Sequence, residues 1–214
     1  MALTTNYTAT VAEIARAAAG KQPRRRRTPA EAQEEILTAA RLLLATGSIE
    51  HLTVATLMQH TTLSRKSFYV YFADRAELLQ ALVRPIRVEA DAALARWSSS
   101  DDPVGAGLAA LAAAAHMYRR HSPILRAILA SSVTSPDLDS VRSAFVQPMT
   151  DVATAIVGDT APDLDDPDAV ATALVTMNVH VLLTLHPDSS DAEVDAIVDA
   201  IATIWRRTLR LDRD

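Results

Sequence analysis

Four helix-start signals follow one another closely between Thr28 and Glu77. The middle two starts leave room only for short helices joined by a tight turn. Thr28 can act as N-cap with Pro29 at the first helical position, and Glu31 completes a capping box. Ile36, Leu37, Ala40, Leu43 and Leu44 then recur at helical spacing, and Gly47 is expected to close the helix as a left-handed cap. Thr53 can cap a second, short helix over Val54–His60, with Leu57 and Met58 facing inward. Thr61–Leu63 forms the turn, and Ser64 caps a third helix to about Phe72. Asp74 and Glu77 start a fourth, which runs towards Trp97 with Pro85 inside it.

The third helix, SRKSFYVYF, divides into two faces at about 100° per residue. Phe68 and Phe72 share the face that would pack on Leu57, Met58 and the first helix. Lys66 and Val70 share the opposite face, flanked by Ser67 and Tyr69. A lysine can donate to guanine O6 and N7, and an apolar group can touch a thymine methyl. The hydroxyls of Ser67, Tyr69 and Tyr71 suit phosphate oxygens. The helix start at Ser64 and Arg65 also favours an anion. The plainer reading is a short amphipathic helix with solvated cations. Two short helices, a tight turn, the aromatic spacing and a basic run upstream together favour a helix-turn-helix.

That basic run is Arg24–Arg27. Residues Met1–Thr28 carry six basic side chains against one acidic, while the chain as a whole is −5. Residues 29–97 are nearly balanced, at −1, and the remainder is −9. A basic end on an acidic body points to nucleic-acid contact at one end only. A charged, solvated tail is the blander alternative.

Beyond Ser98–Pro103, a loop and candidate boundary, five more helices are expected. They are Val104–His121, Pro123–Val133, Asp137–Val157 with a kink at Pro148, Asp168–His186 and Asp191–Leu209. Ser190 and Glu193 form a capping box for the last, and Arg206, Arg207 and Arg210 suit the negative end of its dipole. Alanine is abundant, only 5 residues are Gly, and no alternating β-branched run occurs, so the fold expected is all-α. With no cysteine, thiolate chemistry and disulfides are excluded. The six histidines show no metal-ligand grouping, no G-x-S-x-G or phosphate loop occurs, and no cofactor or metal is expected. An enzyme is therefore disfavoured. Met1–Gly20 makes a poor signal peptide, and the uncharged stretch Ala169–Pro187 reads as a buried helix rather than a membrane span. A cytoplasmic protein is expected.

Thr53–Leu79 (TVATLMQHTTLSRKSFYVYFADRAELL) closely resembles the DNA-binding segment of TetR/AcrR-type regulators, most specifically in S-x-x-x-F-Y-x-Y-F. Nine helices, three of them in a DNA-binding head, also match that family's plan. The resemblance implies that Arg65, Lys66 and Tyr69 face the bases. It implies phosphate contacts for Thr53, Ser67, Tyr69, Tyr71 and Arg75, and a minor-groove role for the arm Arg24, Arg25, Arg26 and Arg27. Two positions depart from the pattern. Thr62 stands where the turn usually has glycine, so either its backbone is unusual or the turn differs slightly. Ala55 replaces a common base reader.

In the helix Asp168–His186, Ala171, Leu174, Asn178, Leu182 and Leu185 share one face. Asn178 is then either a buried amide satisfied by a neighbour or the polar anchor of an apolar ligand cavity. The segment Ala171–Asn178 (ATALVTMN) and Ile204–Trp205 resemble the ethionamide-resistance regulator branch of the family. There the matching Asn178 and Trp205 line a hydrophobic channel. Trp97, Met117, Tyr118, Phe145 and Met149 are further candidates for the wall, each individually better explained as core. The expected organisation is an arm (1–28), a head (29–73), a connecting helix (74–97) and a body (98–214). The last two helices would pair two chains, and a homodimer would read a palindromic operator in double-stranded DNA. A small hydrophobic effector would release it. A regulator without a ligand switch is the alternative.

Overall fold

The computed structural model describes residues 28–47, 49–132 and 135–210. The arm Arg24–Arg27 lies outside them. Among the described residues there are eight α-helices, one 3-10 turn and no strand. The helices are α1 (Pro29–Thr46), α2 (Val54–Gln59), α3 (Arg65–Tyr71), α4 (Arg75–Ser98), α5 (Pro103–Leu129), α6 (Pro136–Thr160), α7 (Pro167–Leu182) and α8 (Asp191–Thr208). The 3-10 turn, Ile49–His51, links α1 to α2. The chain divides into two compact units, Met1–Glu34 and Glu35–Asp214.

In the first unit, the start of α1 is capped as its sequence predicts. The Thr28 amide donates to Glu31 Oε2 at 2.8 Å and the Glu31 amide to Thr28 Oγ1 at 3.2 Å.

In the second unit, α4 packs on α5 and α6, α6 on α7, and α5 on α8. An apolar core runs from Ile36 in α1 to Leu209 beyond α8, with Leu57, Phe68, Leu79, Tyr118, Val157 and Ile201 fully buried along it. The cap of α8 is also the predicted box, with Ser190 and Glu193 bonded reciprocally.

Two sequence expectations need correction, and one left open is decided. Helices Val104–His121 and Pro123–Val133 are one helix, α5, with Pro123 inside it. The proline removes a single backbone donor, whereas Ala115, Tyr118, Ser122, Leu125 and Ile128 stay buried three and four residues apart straight across it. Keeping that stripe in register outweighs the lost bond. Among the described residues the count is therefore eight helices. Gly47 is not left-handed: among the described residues only Arg210, at φ 54°, has a positive φ. Thr62 likewise adopts an ordinary backbone. Its amide donates to Glu35 Oε1 of α1 at 2.5 Å, so a side chain from another helix holds the turn that glycine would otherwise make.

Candidate nucleic-acid face and cavity

The short helices α2 and α3 are each fixed at their start by a hydroxyl. Thr53 Oγ1 accepts from the Thr56 amide at 3.1 Å. Ser64 Oγ accepts from the Ser67 amide at 3.2 Å and lies 2.8 Å from Ser67 Oγ. The Asp74 carboxylate accepts from the Glu77 amide at 2.9 Å, and Glu77 accepts from the Ala73 amide at 2.6 Å, so the turn into α4 is pinned from both sides. Without such caps a seven-residue helix would not hold its shape.

Phe68 is fully buried, with its ring 5.6 Å from that of Phe72 and edge-on to Tyr69 at 5.3 Å. That fixes the roll of α3. Arg65 and Lys66 then point to solvent, Ser67 lies at the edge, and Tyr69 and Val70 are 55% and 72% exposed. A valine this exposed gains nothing from folding. Together with a tyrosine and two cations it makes a face suited to base edges and phosphates.

Four residues singled out from sequence also hold contacts within the fold. Tyr71 is half-buried and packs on the core. Arg75 Nη2 donates to the Ile49 carbonyl at 2.9 Å, bracing the 3-10 turn against α4. Thr53 and Ser64 serve as caps. Ala55 is exposed on α2 and has no polar atom to offer.

The second feature is a cavity of about 120 Å³ between α4, α5, α6, α7 and α8. Trp97, Tyr118, Met149, Asn178 and Trp205 line it, together with Leu94, Leu108, Leu111, Val179 and Leu182. Met117 and Phe145 do not. Both are buried in the core, where Phe145 meets the Tyr118 ring edge-on at 6.4 Å. Trp97 and Trp205 also meet edge-on, at 5.8 Å. Trp97 Nε1 donates to the Pro103 carbonyl at 2.9 Å and Trp205 Nε1 to Asn178 Oδ1 at 3.1 Å. Both open readings of Asn178 thus have a structural counterpart, because the amide is satisfied by a neighbour and also sits on a cavity wall. Its Nδ2 donors are not used by that bond. The buried Tyr118 hydroxyl has no hydrogen-bond partner, and burial pushes its pKa up, so it stays a neutral donor. Sequence reasoning missed Leu94, Pro103 and Arg206 on this wall.

Replacing Asn178 by Leu should leave the Trp205 indole N–H unpaired inside the body. That should cost about 1–3 kcal/mol of stability, read as a lowered urea midpoint. Wild-type stability would show that the bond contributes nothing.

Among the described residues no group of three His, Asp or Glu could hold a metal ion. Among the described residues no helix is long and apolar enough to cross a membrane.

A capped pair of short helices presenting an exposed cationic and aromatic face defines a helix-turn-helix DNA-binding protein, here joined to a helical body with an apolar cavity. Comparison with known proteins names the group. Residues 36–82 match the family described as "Bacterial regulatory proteins, tetR family", and residues 108–209 match "Transcriptional regulator EthR, C-terminal domain". The chain belongs to the TetR family of transcriptional regulators. It is 24% identical over 205 residues to the HTH-type transcriptional regulator EthR of Mycolicibacterium smegmatis, covering 88% of this chain and 93% of that protein. Its fold is similar to a TetR-like transcriptional regulator from Rhodococcus sp. RHA1, at TM-score 0.66 and 18% identity over 86% of this chain and 98% of the other. It is also similar to NalD, the secondary repressor of the MexAB-OprM multidrug efflux pump in Pseudomonas aeruginosa. There the TM-score is 0.62 and the identity 17%, over 80% and 93% of the two chains.

Proposed function

We propose that this regulator is a cytoplasmic homodimeric repressor, released from a palindromic operator by a small apolar effector that binds in the cavity. The observation that carries this reading is the cavity itself. Its wall is almost wholly apolar, with a few polar side chains such as Asn178 at fixed points, the usual make-up of a ligand site. Apolar cavities of roughly this size, about 150 Å³, remain dry and accept benzene-sized guests. The same feature disfavours a regulator without a ligand switch, since a body with no such role would be filled to close packing.

The cavity and the head share an element. Helix α4 begins at the pinned turn after α3 and ends with Trp97 on the cavity wall. A ligand that displaces Trp97 has one continuous helix through which to bias the head. At the far end of the chain, α7 leaves Thr172, Ala173, Thr176 and His180 exposed, and α8 exposes Ile204. These faces would meet their copies across a two-fold axis. Two α3 helices about 34–36 Å apart would then read successive turns of the major groove. The arm Arg24–Arg27 would add phosphate or minor-groove contacts.

Selection of bound duplexes from a randomised pool should return a palindrome with half-sites one turn apart. Octan-1-ol, an apolar probe, should weaken binding to that DNA at least tenfold. A single unpaired site, or binding indifferent to the probe, would overturn the dimeric or the effector half of this reading respectively.

A further inference from the structure

Among the described residues, Arg206 is the only formally charged one on the cavity wall. It lies in the last turn of α8 and is half-buried. Most other arginines of the body have partners. Arg119 donates to Asp191 and the Ser189 carbonyl, Arg120 to Glu89, and Arg142 to Asp139 and the carbonyls of Ile128 and Ser131. Arg126 lies against His186. Arg206 pairs with no described residue, and no described carboxylate lines the cavity to neutralise it. A lone guanidinium beside apolar walls is poorly compensated, because partial burial removes water without supplying an acceptor. Its fork of donors matches one class of group best, a planar carboxylate taken with two parallel hydrogen bonds. Thr160, the last residue of α6, lines the same wall and adds a hydroxyl.

We infer that the ligand of this cavity is an amphipathic carboxylate, with its alkyl chain among Trp97, Leu108, Leu111 and Val179 and its head on Arg206. This rests on the cavity being the effector site, and it narrows the effector from apolar molecules in general to anions with an apolar body. It also assigns separate tasks to the polar residues. Arg206 selects the charge of the head, while Asn178 holds Trp205 in place.

Trp97 and Trp205 are the only tryptophans in the chain and both line the cavity, so intrinsic fluorescence reports occupancy directly. The full-length protein is titrated with octanoate and with octan-1-ol, which share chain length and differ in the charge of the head. Octanoate should bind about tenfold more tightly than octan-1-ol, the worth of one charge-assisted interaction. Arg206→Gln should abolish that preference, and Arg206→Lys should restore part of it. Equal affinity for the two probes in wild type, or a preference that survives Arg206→Gln, overturns the assignment. The second result would mean that only the arginine stem touches the wall while its head is in water. Failure of both probes to bind wild type overturns the effector cavity itself, and with it this inference. Circular dichroism of the Gln variant confirms that it is folded.

Discussion

The double variant Lys66→Ala/Tyr69→Ala is expected to lose operator binding by about a thousandfold while melting within a few degrees of wild type. The two side chains lie on the solvent side of α3, and neither holds the helix in place. Each contact to a base or phosphate lost is worth ~1–3 kcal/mol. Two residues on each of two half-sites give about 4 kcal/mol even at the low end, near three powers of ten in affinity. The folded state loses little, because exposed positions away from caps and buried networks usually change stability by no more than ~0.5 kcal/mol. The edge-on contact of Tyr69 with Phe68 adds about 0.5–1.5 kcal/mol to that. Electrophoretic mobility shift on the selected palindrome, beside a thermal melt, separates the two effects. Sequence-specific binding that survives would remove α3 from the interface. Deleting residues 1–27 gives a complementary expectation. Each phosphate contact the arm makes contributes roughly 0.9 to the slope of log affinity against log salt, so the truncated protein should bind less tightly and with a flatter slope.

What could be read in the sequence was whatever acts over three or four residues. The caps at Thr28, Thr53, Ser64, Asp74 and Ser190 are local bonds between neighbouring positions, and all five form. The two faces of α3 follow from helical angle alone once Phe68 and Phe72 are taken as inward. Signals that compete across a longer span are not decided locally. Pro123 is ordinarily punctuation, yet the apolar stripe on either side of it keeps one phase, and only packing decides between a break and a continuous helix. Thr62 needs no glycine because Glu35, on another helix, takes its amide. Arg75 is drawn inward by a carbonyl that no local pattern marks. The cavity shows the same boundary. Asn178 stood out as a polar residue in an apolar stripe, whereas Trp205 was marked only by the family resemblance. Met117 and Tyr118, adjacent on α5, point to core and cavity respectively, and that choice depends on which helices lie opposite. Arg206 looked like a simple complement to the α8 dipole, because nothing in one dimension places it beside a cavity.

Phe68→Ala should act on the same helix by the opposite route, destabilising the protein by about 3–5 kcal/mol through a lost transfer term and a residual hole. Phe68 is fully buried and keeps the seven-residue α3 in register through its contacts with Phe72 and the core. A helix of that length has no stability of its own, so its geometry is borrowed from this one side chain and from the Ser64 cap. Against a typical total of ~5–15 kcal/mol, the loss is a large fraction of what keeps the chain folded. Operator binding should therefore fall together with the melting temperature, whereas in the Lys66/Tyr69 variant only binding falls. Phe68→Leu retains most of the apolar volume, so it should recover both properties in parallel. A Phe68→Ala protein that melts like wild type but fails to bind DNA would move Phe68 from scaffold to contact surface, and α3 would then have to be rolled by half a turn in the groove.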